Sequence, residues 1–378
     1  MITPNTWVEI DRAVLLANVH TCRQLIGPHC RLLALVKGNA YGHGLCEAST
    51  ALRAAGVDML GVEAVGEAVT LRTRGITGPI LLVGPIPHAN VPLLLSYQLT
   101  PLLSSPEQVQ RLGEFTCQRA CGLDVHLKLD TGMHRQGIMR EDLGLVLDVL
   151  AKCPGLRVSG VATHLARADE AAHPAWTRRQ LARFHDMLAL LAASGIQAPI
   201  RHAANSAAAL LWPETHLDMV RLGIALYGFW PGPAVEQACR ERLTLRPVMT
   251  WKTRVAAVKS VPPGGSVGYG GSYVTRRQSR LAVLPMGYYD GYARGLSNLG
   301  QVLIHGQRAP VCGLVSMNLM TVDVTDIANV QPGDEVVLLG QQGTSALTAE
   351  EMATWLGTIH YEVTTRINPL ILRLVIGS

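Results

Sequence analysis

Long apolar runs are missing from this sequence: nothing in its 378 residues stays apolar for the roughly 20 positions that a membrane-spanning helix needs. The opening stretch, Met1-Ile2-Thr3-Pro4-Asn5-Thr6, has neither a basic segment nor an apolar one, so no export leader is read there and a soluble cytoplasmic protein is expected. Basic runs are absent too. The net charge of +5 is scattered in pairs such as Arg178-Arg179 and Arg276-Arg277, which argues against a nucleic-acid or lipid surface and suits anionic small molecules. The eight cysteines, at 22, 30, 46, 117, 121, 153, 239 and 312, contain no CxxC pair, and no histidine stands at zinc-finger spacing. Reduced, structural thiols and no metal site are expected. Low-complexity segments and internal repeats are also lacking, apart from one rhythm described next.

What is present is a well-buried composition, 48% apolar with 16% charged residues, in a chain long enough for two domains. Short apolar runs at residues 32–36, 59–62, 80–83, 99–103, 123–129, 158–163, 200–203 and 219–222 alternate with amphipathic stretches, the clearest being 141–152 and 178–193. Eight βα repeats predict an α/β protein whose N-terminal part, residues 1–240, is a (β/α)8 barrel. Lys37, Glu63, Ser104, Asp130, His164, Asn205 and Arg221 fall at the C-terminal ends of these runs, the end that forms the active-site face of such a barrel. After about Leu245 the texture changes to alternating strands, at 251–258 and 280–284, with turns at Pro262-Pro263-Gly264-Gly265, His305-Gly306-Gln307 and Pro332-Gly333-Asp334. Residues 241–378 are therefore read as a mainly β domain, interrupted by one helix that starts at Thr348 as N-cap with Glu350 and Glu351 in its first turn.

Among the polar residues, Lys37 follows the apolar strand Leu32-Leu33-Ala34-Leu35-Val36 and precedes a glycine-rich turn, a place where an amine could act as a Schiff-base nucleophile. By spacing alone, a surface lysine at a strand end is the better reading. Likewise Val267-Gly268-Tyr269-Gly270-Gly271 reads by itself as an ordinary turn with a loop aromatic.

The segment VKGNAYGHG at 36–44, however, resembles the pyridoxal-lysine motif of alanine racemases, and the likeness runs along the whole chain. It includes WVEID at 7–11, HLKLDTGMHRQG at 126–137, VATHLARAD at 161–169, HAANSAAAL at 202–210 and DMVRLGIALYG at 218–228. VGYGGSYVT at 267–275, MGYYDGY at 286–292 and VSMN at 315–318 follow in order. The resemblance implies an amino-acid racemase that uses pyridoxal 5'-phosphate, with a small amino acid as substrate and a homodimer whose active sites are shared. It implies that Lys37 carries the cofactor and acts on one face of the substrate Cα, while Tyr269 of a second subunit acts on the other. A phenol is a poor base at neutral pH unless cations stabilise its phenolate.

The same resemblance implies that Arg221 meets the pyridine nitrogen with His164 orienting it, and that Tyr41, Ser206 and the amides of Gly223 and Ile224 hold the phosphate beside Asn205. Arg135 and the amide of Met317 would take the substrate carboxylate, and Lys128 matches a lysine that the family often carries carbamylated. The D-alanine so made would serve the cell wall, or be consumed in catabolism.

Two positions depart from the pattern. Pro369 is read as replacing a tyrosine that touches the phosphate and closes the pocket, which would admit serine or other small amino acids, and Asn318 stands where relatives have aspartate. Two rival readings are weighed. A non-catalytic barrel that stores the cofactor would lack the β domain and VGYGGSYVT; a decarboxylase of the same fold group finds support only in Cys312 of PVCG.

Overall fold

The computed structural model describes residues 4–377; Met1, Ile2 and Thr3, part of the stretch read above for a leader, lie outside them. The described chain forms two compact units that interleave in sequence. One holds Leu15–Gly38 and Ala48–Arg246; the other holds the residues up to Val14, Asn39–Glu47 and everything from Pro247 onward. The passage from one unit to the other at Arg246 lies close to the textural change near Leu245, but the first strand, β1 (Thr6–Asp11), goes with the second unit. The cause is pairing: β1 is hydrogen-bonded antiparallel to Met249–Arg254 and parallel to Leu372–Ile376. No local pattern in a six-residue strand announces such distant partners.

The first unit is the barrel. Its strands are β2 (Arg31–Leu35), β3 (Met59–Val62), β4 (Ile80–Leu82), β5 (Thr100–Leu103), β6 (Leu123–Lys128), β7 (Leu156–Ala162), β8 (Ile200–His202) and β9 (Met219–Leu222). They pair in parallel in the order β8-β7-β6-β5-β4-β3-β2-β9, each at or within two residues of an apolar run in the sequence. Backbone bonds from Asp218 N to Arg201 O (3.0 Å) and from Arg221 N to Ala204 O (2.9 Å) join β9 to β8 and close the ring. Leu33, Met59, Leu81, Leu102, Ala162, Ile200 and Met219 fill the interior. Each large side chain so buried contributes about 1.5–3 kcal/mol, which is why the strands read mostly as apolar runs, with polar exceptions such as His126, Lys128, His202 and Arg221.

Helix Pro106–Arg119 shows how local chemistry sets the ends: Ser105 accepts a bond from Gln108 N, Pro106 fills the first turn, and the chain leaves through Ala120 at φ 48°. Helix Pro174–Ala193 begins four residues before the periodic stretch read from the sequence, because Pro174 is admissible in a first turn where no N–H is needed.

After β2 the turn Lys37–Tyr41 is left-handed, with Gly38, Asn39, Ala40 and Tyr41 at φ 62, 55, 54 and 54°. Three of these are not glycine, and each costs energy in this conformation. Asn39 Oδ1 offsets part of it by accepting a bond from Leu45 N (2.8 Å). Gly42 must be glycine, since a Cβ there would lie 2.0 Å from Thr364 O.

In the second unit the stretch read as one strand over 251–258 is two, Met249–Arg254 and Ala257–Val261, in different sheets. The switch occurs where Val255 N bonds Asp334 O and Ala256 N bonds Val283 O. Thr348 does cap helix Ala349–Leu356, accepting from Glu351 N (3.1 Å), and Gly357 ends it at φ 64°. A second helix, His360–Thr365, was not expected: it has six residues, and Ile359 at its N-cap offers no capping side chain. No described helix is long and apolar enough to cross a membrane, and all eight cysteines carry free thiols.

Candidate active site

At the C-terminal mouth of the barrel is a cavity of about 360 Å³. Lys37, Lys128, Arg135, His164 and Arg221 all line it, with Glu63, Gln136 and Thr163. Six of the residues singled out in the sequence, Glu63 among them, therefore converge, although 184 positions separate the first from the last.

Arg221 is the most constrained of them. It sits inside β9 and is only 5% exposed. Its Nη1 donates to His202 O (2.9 Å) and approaches His202 Nδ1 (3.0 Å), while Nη2 donates to Thr163 O (2.7 Å) and Ala203 O (3.1 Å) and approaches His164 Nδ1 (3.2 Å). Burial lowers this guanidinium to about 10, which still leaves it charged at neutral pH. Burial, reinforced by the Arg221 charge, drives both imidazoles well below their ordinary value, so both are neutral and their Nδ1 atoms accept. His202 must then carry its proton on Nε2, which faces His126 Nδ1 at 2.9 Å. The polar string His126, His202, Arg221, His164 is thus self-consistent within the barrel and contains no carboxylate.

The backbone makes room for this string. The β6–β7 register shifts between Val125 and His126, and a Cβ on the facing Gly160 would lie 2.6 Å from the His126 ring. Arg135 is delivered by the loop after β6. There Asp130 Oδ1 accepts from the amides of Gly132 (2.8 Å), Met133 (3.1 Å) and His134 (3.2 Å), so Asp130 shapes the loop and does not face the cavity. Lys128 Nζ donates to Gln136 Oε1 (3.1 Å), and burial first, then Arg221 and Arg135, lower its amine to about 8. Lys37 Nζ lies 2.7 Å from Glu63 Oε2.

A second cluster in the same unit suits an anion. Ser206 is buried and its Oγ accepts from Gly223 N (3.0 Å), with Ile224 next in the chain. Asn205 is used locally: it caps the helix Ser206–Leu211 through Ala208 N (3.0 Å) and donates to Leu165 O (3.2 Å).

Tyr41, Tyr269 and Met317 belong to the other unit. Tyr269 is 74% exposed on a turn that packs against the Gly313-Leu314 loop, and Met317 is 56% exposed, its carbonyl accepting from Tyr289 N (3.0 Å). Asn318 lies 3.5 Å from Asp290, so a carboxylate remains beside that position. The Tyr41 ring stands 6.3 Å from that of Tyr361. Pro369, by contrast, is exposed and occupies the second position of the turn Asn368–Ile371 closed by Ile371 N to Asn368 O (3.1 Å). The aromatic that accompanies Tyr41 is Tyr361, eight residues earlier.

Glu63, His126 and His202 are the site residues to which no motif assigned a role. Both histidines open quoted motifs, but only the fold shows what each one touches.

A barrel mouth carrying a lysine amine, a cluster of cations and a neutral imidazole suits an enzyme that acts on an anionic small molecule. The comparisons give the particular family. Models described as alanine racemase, N-terminal domain, and alanine racemase, C-terminal domain, match residues 10–231 and 248–375. The alanine racemases of Symbiobacterium thermophilum and Syntrophobacter fumaroxidans are 45% and 42% identical over 96% and 95% of this chain, and over 95% and 94% of their own lengths. Among solved structures, alanine racemase of Clostridium difficile 630 superimposes with a TM-score of 0.94 at 33% identity, covering 100% of this chain and 97% of that one. That of Bartonella henselae, with covalently bound pyridoxal phosphate, does so at 0.87 and 29%, covering 99% and 100%. The chain belongs to the alanine racemase family and is an amino-acid racemase.

Proposed function

We propose that this chain interconverts L-alanine and D-alanine with pyridoxal 5'-phosphate held on Lys37, moving a proton between two bases, Lys37 and Tyr269 of a partner subunit. The observation that carries the reading is one barrel cavity that contains both the Lys37 amine and the buried Arg221 guanidinium braced by two neutral imidazoles. The donor set fits the cofactor group by group. An amine stands where an aldehyde needs one, a guanidinium is available to a ring nitrogen, and Arg135 to a phenolic oxygen and a carboxylate. The Ser206 hydroxyl and the amides of Gly223 and Ile224 suit a phosphate, to which the resemblance adds the Tyr41 phenol.

When bound, the cofactor withdraws electrons from the amino acid and acidifies its Cα–H bond. The residues of the chain do the rest. Tyr269 Oη takes the proton from one face of Cα, and Lys37 Nζ delivers one to the opposite face; the reverse direction exchanges the roles. Arg135 and the Met317 amide fix the substrate carboxylate so that Cα stays between the two bases. Arg221 keeps its own protons, since its carbonyl and imidazole partners stabilise the charged form. Lys128, lowered to about 8, presents enough neutral amine near neutrality to add carbon dioxide, forming an N–C bond and releasing one proton, and the carbamate would steady Arg135. Alanine is the substrate proposed, with Pro369 in place of a tyrosine extending the range to serine or other small amino acids. The exposure of Tyr269 suits a residue offered to a second copy, hence a homodimer.

Incubating the purified chain with pyridoxal phosphate and L-alanine in deuterium oxide tests the reading. Loss of optical activity with deuterium at Cα and no gas is expected. A yellow protein that leaves alanine untouched favours a cofactor carrier, and carbon dioxide release favours a decarboxylase. A parallel run with L-serine is expected to show turnover above background, and turnover indistinguishable from background removes the wider range.

A further inference from the structure

The mechanism above leaves one cavity residue without a task. Glu63 is the single carboxylate among the described residues that line the cavity, facing two lysines and two arginines. Its placement is built in. In the parallel pairing of β2 with β3, Leu35 is opposite Gly61, so two residues on, Lys37 and Glu63 project to the same face. Glu67 then ties the two strand ends together, with Oε1 accepting from Gly38 N (2.8 Å) and Oε2 from Glu63 N (2.8 Å) and Ala64 N (3.1 Å). Gly84 leaves the space that Glu63 fills, since a Cβ there would lie 2.2 Å from Glu63 O and 2.9 Å from its Oε1. The resulting Lys37 to Glu63 ion pair, at 2.7 Å, has both side chains about 40% exposed (38% and 42%).

We infer that Glu63 is a positioning residue for Lys37: its carboxylate holds the lysine amine whenever that amine is not covalently engaged, and so favours release of Lys37 over capture. The inference rests on Lys37 being the residue that carries the cofactor. Capture of an aldehyde by Lys37 forms a C=N bond and expels one water built from the aldehyde oxygen and two of the ammonium protons, and the nitrogen, left with at most one N–H and fixed by the new bond, gives up the ion pair that Glu63 makes with the free ammonium. Glu63 therefore stabilises only one side of that equilibrium. A half-exposed pair of this kind shifts it by about threefold to fivefold.

The test compares the wild-type chain with Glu63→Gln, each freed of cofactor and titrated with two probes. Pyridoxal phosphate can bond to Lys37; 4-deoxypyridoxine phosphate, which lacks the aldehyde, cannot. The expected result is that Glu63→Gln binds pyridoxal phosphate about threefold to fivefold more tightly while its affinity for the deoxy probe is unchanged. In the loaded enzyme the same variant should raise KM for L-alanine by a similar factor, because Lys37 is released less readily, with little change in kcat. Unchanged or weaker binding of pyridoxal phosphate overturns the inference. So does an equal shift for both probes, or loss of the deoxy probe, which would show that Glu63 shapes the pocket as a whole. A wild-type chain that binds the deoxy probe but never bonds pyridoxal phosphate overturns the cofactor assignment as well.

Discussion

Arg221 and Tyr269 lie at opposite extremes of burial, at 5% and 74% exposed, and the function proposed here needs both. Arg221 is satisfied inside its own unit by three carbonyls and two imidazoles. Tyr269 sits on a turn whose shape depends on Gly268, Gly270 and Gly271, all at positive φ. The contrast teaches that stability and reactivity are assigned to different places. A buried cation with a full set of acceptors is part of the fold, and removing it must disturb the fold. An exposed phenol contributes little burial, so its removal should be felt in turnover alone.

Three measurements sharpen or break that contrast. The largest effect is expected from Tyr269→Phe, which should lower kcat by about 10²–10⁴-fold, the range for loss of a positioned acid–base group, with a thermal midpoint unchanged. A clear drop in that midpoint would mean that Tyr269 is structural and would remove the contrast.

Next is Arg221→Ala. It leaves buried carbonyls of Thr163, His202 and Ala203 without their donor, so unfolding free energy should fall by about 3 kcal/mol or more in urea titration of the cofactor-free chain. A loss under about 1 kcal/mol would show that the network matters for chemistry only.

The smallest effect concerns protons. Burial holds His126 at about 4 in the folded chain, against an ordinary value of 6.5. Between those values the unfolded chain takes up a proton that the native one refuses, so stability falls as pH drops from 6.5 toward 4. His126→Phe should remove about one proton from that dependence, read as a shallower decline of the urea midpoint with acidification. An unaltered slope would mean that His126 titrates in the native state.

The barrel strands were legible because each is an apolar run bounded by glycine, proline or polar residues. Helix Ala349–Leu356 was legible because Thr348 and the acidic first turn mark its start. The missed helix His360–Thr365 and the split strand near Val255 lacked such marks; the first was too short, and the second was decided by bonds to Asp334 and Val283 from remote segments. Lys37, Lys128, Arg135, His164 and Arg221 could be named in advance because each lies in a motif. Glu63 stood at a strand end in plain view, but nothing in one dimension gives it Lys37 as a partner.

Pro369 is read along the chain as standing in for a tyrosine; in the fold it turns an exposed corner, and Tyr361 is the aromatic beside Tyr41. The sequence by itself determined the βα rhythm and the change of texture near Leu245, because apolar period and turn chemistry are local properties, while the role proposed for Lys37 came from the resemblance. Tertiary structure alone decided that β1 joins the second unit, that His202 braces Arg221 alongside His164 and that Glu63 faces Lys37. Strand register and cavity shape are set by many residues at once, and no single stretch of sequence carries them.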